Sequence, residues 1–165
     1  INLYGSSVLA SRTQETVRQI SILAAEVRAL YRSNPTTVGV TLAVLDSAGA
    51  VPEKISATAP AYINEWGGGV TVGPDPTNPL NFIVVLNDIP VTTCVRLGVF
   101  SSAGEGIVGD GIVDFETLDA GGIFASADTE VIAGNKANGV NPQEALIACS
   151  AQADGETDVR WTFRI

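Results

Sequence analysis

Residues 7–32 read SVLASRTQETVRQISILAAEVRALYR, and their periodicity decides the fold. Val17, Ile20, Leu23, Ala24, Val27, Leu30 and Tyr31 recur at steps of three and four, the spacing that lines up one stripe of an α-helix. Arg12, Gln14, Glu15, Arg18, Gln19, Glu26 and Arg28 mostly fall off that stripe, and Glu15 stands three residues before Arg18, where the two charges meet on the solvated side. As a helix this stretch is ~39 Å long at about 1.5 Å per residue. A rod of that length packs its second half on a small sheet and projects its first half. It ends at Ser33-Asn34-Pro35, because Pro35 disfavours helical backbone at Asn34.

Beyond Asn34 the pattern changes to short elements, with most of the 17 glycines and 8 prolines gathered there. The clearest strand is the last: Val159, Trp161, Phe163 and Ile165 point one way and Arg160, Thr162 and Arg164 the other. Its apolar set is expected to lie against the long helix. Phe82–Leu86 is a continuous apolar run, expected as a strand covered on both faces. Val70–Val72, Ile112–Phe115 and Ile123–Ala125 are further expected strands, and Glu65–Gly69 and Asp75–Pro79 are expected turns. Two short helices are expected. One spans residues 90–101, capped by Asn87-Asp88, and buries Val91, Leu97 or Phe100. The other opens at Asn141-Pro142-Gln143-Glu144 and carries Ala145, Leu146, Ile147 and Cys149. Residues 36–65 stay ambiguous: Val38, Val40, Leu42 and Val44 alternate as in a strand, whereas Pro52 and Ala59-Pro60 read as connecting loop. The division expected is a helical spine over 1–34 and a globular head over 35–165.

At 165 residues, 45% hydrophobic and 16% charged, the chain supports one domain with a real core. A net charge of −9 argues against a nucleic-acid surface and, with only 9 Lys+Arg, against an anionic bilayer as partner of the folded part. No run of 18 apolar residues occurs. The chain contains no methionine and begins at Ile1, so the expectation is a processed product or a trimmed chain whose upstream segment carries any anchor.

Cys94 and Cys149 are the only cysteines, 55 positions apart. With no histidine and no CxxC spacing, a zinc site has no ligand set. The sharper reading is a disulfide in an export-like context; the plainer one is two unrelated buried thiols. Gly104–Gly109 matches GxGxxG by letter, but the preceding segment reads as helix, Asp110-Gly111 follows instead of a helix start, and Glu105 would repel phosphate. A loop is the expectation. Asp110, Asp114, Glu116 and Asp119 lack the spacing of a calcium loop and its central glycine, and read as a solvated acidic edge. Without histidine there is no Ser-His-Asp or Cys-His arrangement, and nothing brings two carboxylates together as acid and base. No catalytic residue, metal or cofactor is therefore expected. Trp161 belongs to the core by its strand phase. Trp66, beside three glycines, is either an exposed contact residue or an edge-packing one.

The helix Tyr4–Tyr31, the expected helix Asn87–Ser101 with Cys94, and the block from Asn141 to the terminal strand together resemble a type IVb major pilin of enteric bacteria, including the plasmid-encoded thin-pilus subunits, without its N-terminal hydrophobic segment. The resemblance spans essentially the whole chain as an arrangement. It implies an α+β fold with the long helix packed on an antiparallel sheet through Val17, Ile20, Ala24, Val27 and Tyr31, and a C-terminal disulfide that Cys94 and Cys149 match. It also implies a structural subunit of an extracellular pilus that polymerises with itself, its precursor held in the inner membrane through an upstream segment. Leu3, Tyr4, Val8 and Leu9 are too few for a span and suit a helix leaving a filament core. Adhesion, aggregation or cell–cell contact would follow, with a host or bacterial surface receptor as a further partner. A minor pilin, a tip adhesin and a secretion-system pseudopilin are the alternatives.

Overall fold

The computed structural model describes residues 3–34, 36–52, 56–58, 61–100, 112–118, 124–125, 142–150 and 154–165. The apolar stripe delivers one helix, α1 (Leu3–Tyr31), 29 residues long and therefore about 43 Å from end to end. Its last turn carries Arg28, suitably placed for the negative end of the helix dipole. The remaining elements are α2 (Leu42–Ser47), β1 (Ser56–Thr58), β2 (Ala61–Ile63), β3 (Val70–Pro74), β4 (Asn81–Pro90), α3 (Val91–Phe100), β5 (Ile112–Leu118), β6 (Phe124–Ala125), α4 (Pro142–Cys149) and β7 (Glu156–Arg164).

Five strands form one antiparallel sheet in the order β3-β4-β7-β5-β6, and β1 pairs with β2 in a small separate ladder. Period-two alternation sets its two faces. Phe82, Val84 and Leu86 of β4 are buried with Val159, Trp161 and Phe163 of β7 and Phe115 of β5, in one core with the α1 stripe. The register puts Phe82 opposite Phe163 and Phe115 opposite Trp161. Those rings meet at centroid distances of 5.3 and 5.4 Å, within the range of favourable aromatic pairs. Ile83 and Val85, on the other face of β4, are only half-buried, so the double cover expected for residues 82–86 is not complete. Ile165 lies beyond the end of β7; it is half-buried against the core, and its N–H donates to the Leu80 carbonyl at 3.0 Å.

One ambiguous stretch is resolved and one local expectation is corrected. Residues 38–44 are not a strand. Thr41 caps a helix there, its hydroxyl accepting from the Val44 N–H at 3.2 Å; Leu42 and Leu45 turn inward, while Val38 and Val44 are exposed. Asn87-Asp88 is not a helix cap either. β4 continues through a bulge to Pro90, with Asp88 at φ +57° and its N–H donating to Asp158 Oδ1 at 3.0 Å. An Asp tolerates this left-handed backbone, and the Asp158 carboxylate satisfies the N–H that the bulge removes from the ladder. α3 therefore starts at Val91.

The bulge also receives the 64–69 turn. Asn64 Oδ1 accepts from the N–H groups of Trp66 (2.8 Å) and Gly68 (3.2 Å), and Asn64 Nδ2 donates to the Asn87 carbonyl at 2.8 Å. A Cβ at Gly68 would stand 2.0 Å from the Asn87 carbonyl oxygen, so only glycine fits. Gly68→Ala is expected to lose about 1–3 kcal/mol as the turn is forced off the bulge, read as a lower denaturant midpoint at unchanged slope.

Candidate functional site, the helix face and the disulfide-closed edge

The helix meets the sheet along a graded face. Val17, Ile20, Leu23, Ala24, Val27 and Tyr31 are buried in the core. Leu30, on the same stripe by spacing, is 44% exposed, although Tyr31 beside it, at the end of α1, stays buried. There Arg28 takes over: its Nε donates to the Arg164 carbonyl at 2.9 Å and its guanidinium lies 5.8 Å from the Phe163 ring centroid.

Toward its N-terminus the buried face turns polar. Thr13, Thr16 and Gln19 are each at most 2% exposed, a contact that apolar periodicity alone does not reveal. Thr13 Oγ1 donates to the Leu9 carbonyl at 2.8 Å and meets Thr93 Oγ1 of α3 at 3.3 Å. Thr16 Oγ1 donates to the Arg12 carbonyl at 2.9 Å and accepts from Trp66 Nε1 at 3.1 Å, with the Arg12 guanidinium 5.8 Å from the Trp66 ring centroid. Trp66 is thus half-buried and packs the sheet edge onto the helix. On the solvated side, Arg18 pairs with Glu15 at 2.6 Å, worth a few tenths of a kcal/mol at such an exposed site.

At the other end of the sheet a covalent link closes the edge. Cys94 of α3 and Cys149 of α4 form a disulfide with Cα atoms 5.9 Å apart, inside the usual span. α3 approaches closely because Gly98 has no side chain: a Cβ there would stand 3.2 Å from the Phe115 ring and 3.4 Å from the Ala145 Cβ. Thr117 Oγ1 of β5 donates to the Ala148 carbonyl at 3.1 Å, fastening α4 to the sheet. Ala145, Ala148 and Cys149 face inward, whereas Leu146 and Ile147, expected as apolar members of this helix, are exposed.

The face of the sheet away from α1 carries the polar half of each strand. Arg160 of β7 pairs with Glu116 directly opposite on β5. Burial pushes the Glu116 carboxyl above its ordinary value, aided by Asp114 and opposed by Arg160. Asp75 lies in the same cleft of about 540 Å³, along with Thr77, Asn78, Asn81 and Thr162. Partial burial raises the Asp75 carboxyl, but hydrogen bonds from Thr77 (side chain and backbone), Asn81 and the Asn78 backbone outweigh it and hold the group below its ordinary value. A carboxyl lowered in the folded state contributes stability above the unfolded pKa and loses it as pH falls through the folded one. Asp75→Asn should therefore melt below the parent at pH 7, and the gap should close on acidification below the ordinary Asp range, as read by thermal denaturation. Of the four acids considered for calcium, Asp114 and Glu116 lie among the described residues and Asp110 and Asp119 outside them, as does the Gly104–Gly109 loop. No group of three metal-ligand side chains gathers among the described residues, and no described helix is long and apolar enough to cross a membrane.

A long helix laid along an antiparallel sheet, with a disulfide tying the last short helix to the helix that follows β4, is the architecture of a type IV pilin. The family model for PilS, described as PilS N terminal, matches residues 10–162, and the chain belongs to that family. Its fold is that of the type IVb pilins. A crystal structure of type IVb pilin from Salmonella typhi is similar with a TM-score of 0.64 at 19% identity, over 90% of this chain and 97% of that one. An NMR structure of type IVb pilin (PilS) from Salmonella typhi gives a TM-score of 0.54 at 16% identity, over 93% and 96%. No curated protein sequence matches.

Proposed function

We propose that the chain is a structural subunit of an extracellular type IVb pilus, polymerising through α1 and through contacts between neighbouring heads. The observation that carries this is the two-part helix. From Thr13 onward α1 is locked to the sheet, while Val8, Leu9 and Ala10 remain only half-covered, in keeping with a spine that continues away from the head. In this reading residues 1–34 form the spine and 35–165 the head, and a membrane is met only through an upstream segment of the precursor. The region between Cys94 and Cys149 faces outward and mediates adhesion, aggregation or cell–cell contact. The fold is that of a structural protein.

The test is the protein composition of pili sheared from cells that express the chain. A major subunit is the dominant protein of the filaments and is decorated along their length by antibodies to the head. Labelling confined to the tips would instead indicate a minor pilin or adhesin, and absence from all filaments would refute the assignment.

A further inference from the structure

Strand register builds the cleft on the outer face of the sheet. Ile83 of β4 stands opposite Thr162 of β7, and Thr162 opposite Asp114 of β5, so the three form one cross-strand row. Arg160 and Glu116 form the next row on that face, two residues and roughly 7 Å further along the strands. The register shift between Ile112 and Asp114 leaves Val113 as an extra residue, and it too lines the cleft. The rim is the loop between β3 and β4, which its own hydrogen bonds hold in shape. Asp75 Oδ1 accepts from the Thr77 N–H at 2.8 Å and the Thr77 hydroxyl at 2.7 Å, and Asn78 Oδ1 accepts from the Leu80 N–H at 3.0 Å. From beneath, the buried Thr37 hydroxyl donates to the Asn81 carbonyl at 2.6 Å. At about 540 Å³ the cleft has the size of a small-ligand site.

We propose that this cleft binds an uncharged oligosaccharide, one sugar ring seated over the Ile83–Thr162–Asp114 row. As the contact by which a pilus grips a cell surface it rests on the subunit assignment above; the binding itself is a property of the isolated chain. A sugar hydroxyl both donates and accepts, and the lining offers both roles side by side. The Asp114 and Glu116 carboxylates accept, the Arg160 guanidinium and the Asn78 amide nitrogen donate, and the Thr162 hydroxyl does either. Ile83, Val113 and Pro76 add apolar surface for the C–H face of the ring. Other ligand classes fit less well. Three carboxylates against one arginine repel phosphate, sulfate and nucleic acid. Glu116 is already paired with Arg160, and Asp75 is already hydrogen-bonded within its loop, so the acids do not stand ready for a cation. An apolar ligand would strip water from polar groups that it cannot satisfy. Each copy in a filament carries the same cleft, so sites of weak individual affinity add up along its length.

The experiment presents the purified chain to an array of neutral, sialylated and sulfated oligosaccharides, then titrates the strongest neutral ligand by calorimetry. Neutral oligosaccharides should be retained and the anionic ones not. Nuclear magnetic resonance of the isotope-labelled parent chain reads the site without any variant: amide signals of residues 75–81, 113–116 and 160–162 should shift on titration. Asn78→Asp keeps an oxygen for the Leu80 N–H and removes the amide donor, so it should weaken binding roughly tenfold, and Asp114→Asn should do the same. Glu156→Gln, exposed on β7 outside the cleft, should bind as the parent does. Circular dichroism verifies the folding of each variant. Retention of no neutral oligosaccharide, a preference for the anionic ones, or shifts confined to other residues overturns the cleft as a sugar site and leaves the pilus assignment standing. A chain that binds the sugar but enters no filament would overturn the assignment and leave the cleft standing.

Discussion

Removing the disulfide, by Cys94→Ser with Cys149→Ser, is expected to cost about 4 kcal/mol, the loop-entropy value for a closed segment of 55 residues. Thermal melting should then fall by roughly 8–16 °C for a chain of this size. The loss is not spread evenly. Cys94 and Cys149 are both fully buried in the core, and α4 is otherwise held by small side chains, Ala145 and Ala148, and by the bond from Thr117. Freed of the bond, α4 should open before the β4–β7 centre does. Hydrogen exchange on the parent and the double variant checks this: protection should drop first in residues 142–150 and least in residues 82–86 and 159–163. Equal melting of the two proteins would refute the structural weight placed on the link.

Val17→Asp combined with Val27→Asp is expected to abolish the folded state. Both valines are buried on the sheet, and an unpaired carboxylate in such a place costs about 3–5 kcal/mol. Two of them approach the whole stability of an ordinary domain, about 5–15 kcal/mol. The control is Leu30→Asp. Leu30 shares the stripe by spacing but is exposed, so its substitution should stay within about 0.5 kcal/mol and leave filaments intact. Circular dichroism of purified protein and electron microscopy of the cells read the two outcomes. Normal filaments from the double variant would show that this face does not carry the head.

How much of this is legible in the sequence follows from the range of the forces involved. The period of α1 and the alternation of β7 are local signals carried by many residues, and both elements stand where that spacing puts them. Signals that a competing hydrogen bond can override fare worse. The alternation Val38–Val44 gives way to a hydroxyl cap at Thr41, and the apparent cap at Asn87-Asp88 gives way to a bulge satisfied by Asp158, 70 residues distant. The exposure of Leu30 and Ile147 depends on which side of each helix its neighbours cover, which spacing does not encode. Least legible is the clamp that joins Asn64, Trp66, Gly68 and Asn87 to Thr16 and Arg12 of α1. The run Trp66-Gly67-Gly68-Gly69 marks a turn, but its partners are set by tertiary contact alone. The buried threonines of α1 are hidden for the same reason: polar residues at positions 13 and 16 read as solvated until a neighbour supplies their hydrogen bonds.

The most direct test of the account as a whole is a helical reconstruction, by electron cryomicroscopy, of pili from cells that express the chain. α1 is expected to run into a central helical bundle, with the sheet, α3 and α4 forming the outer shell. Filaments built without this chain, or with α1 lying outside that bundle, would contradict it.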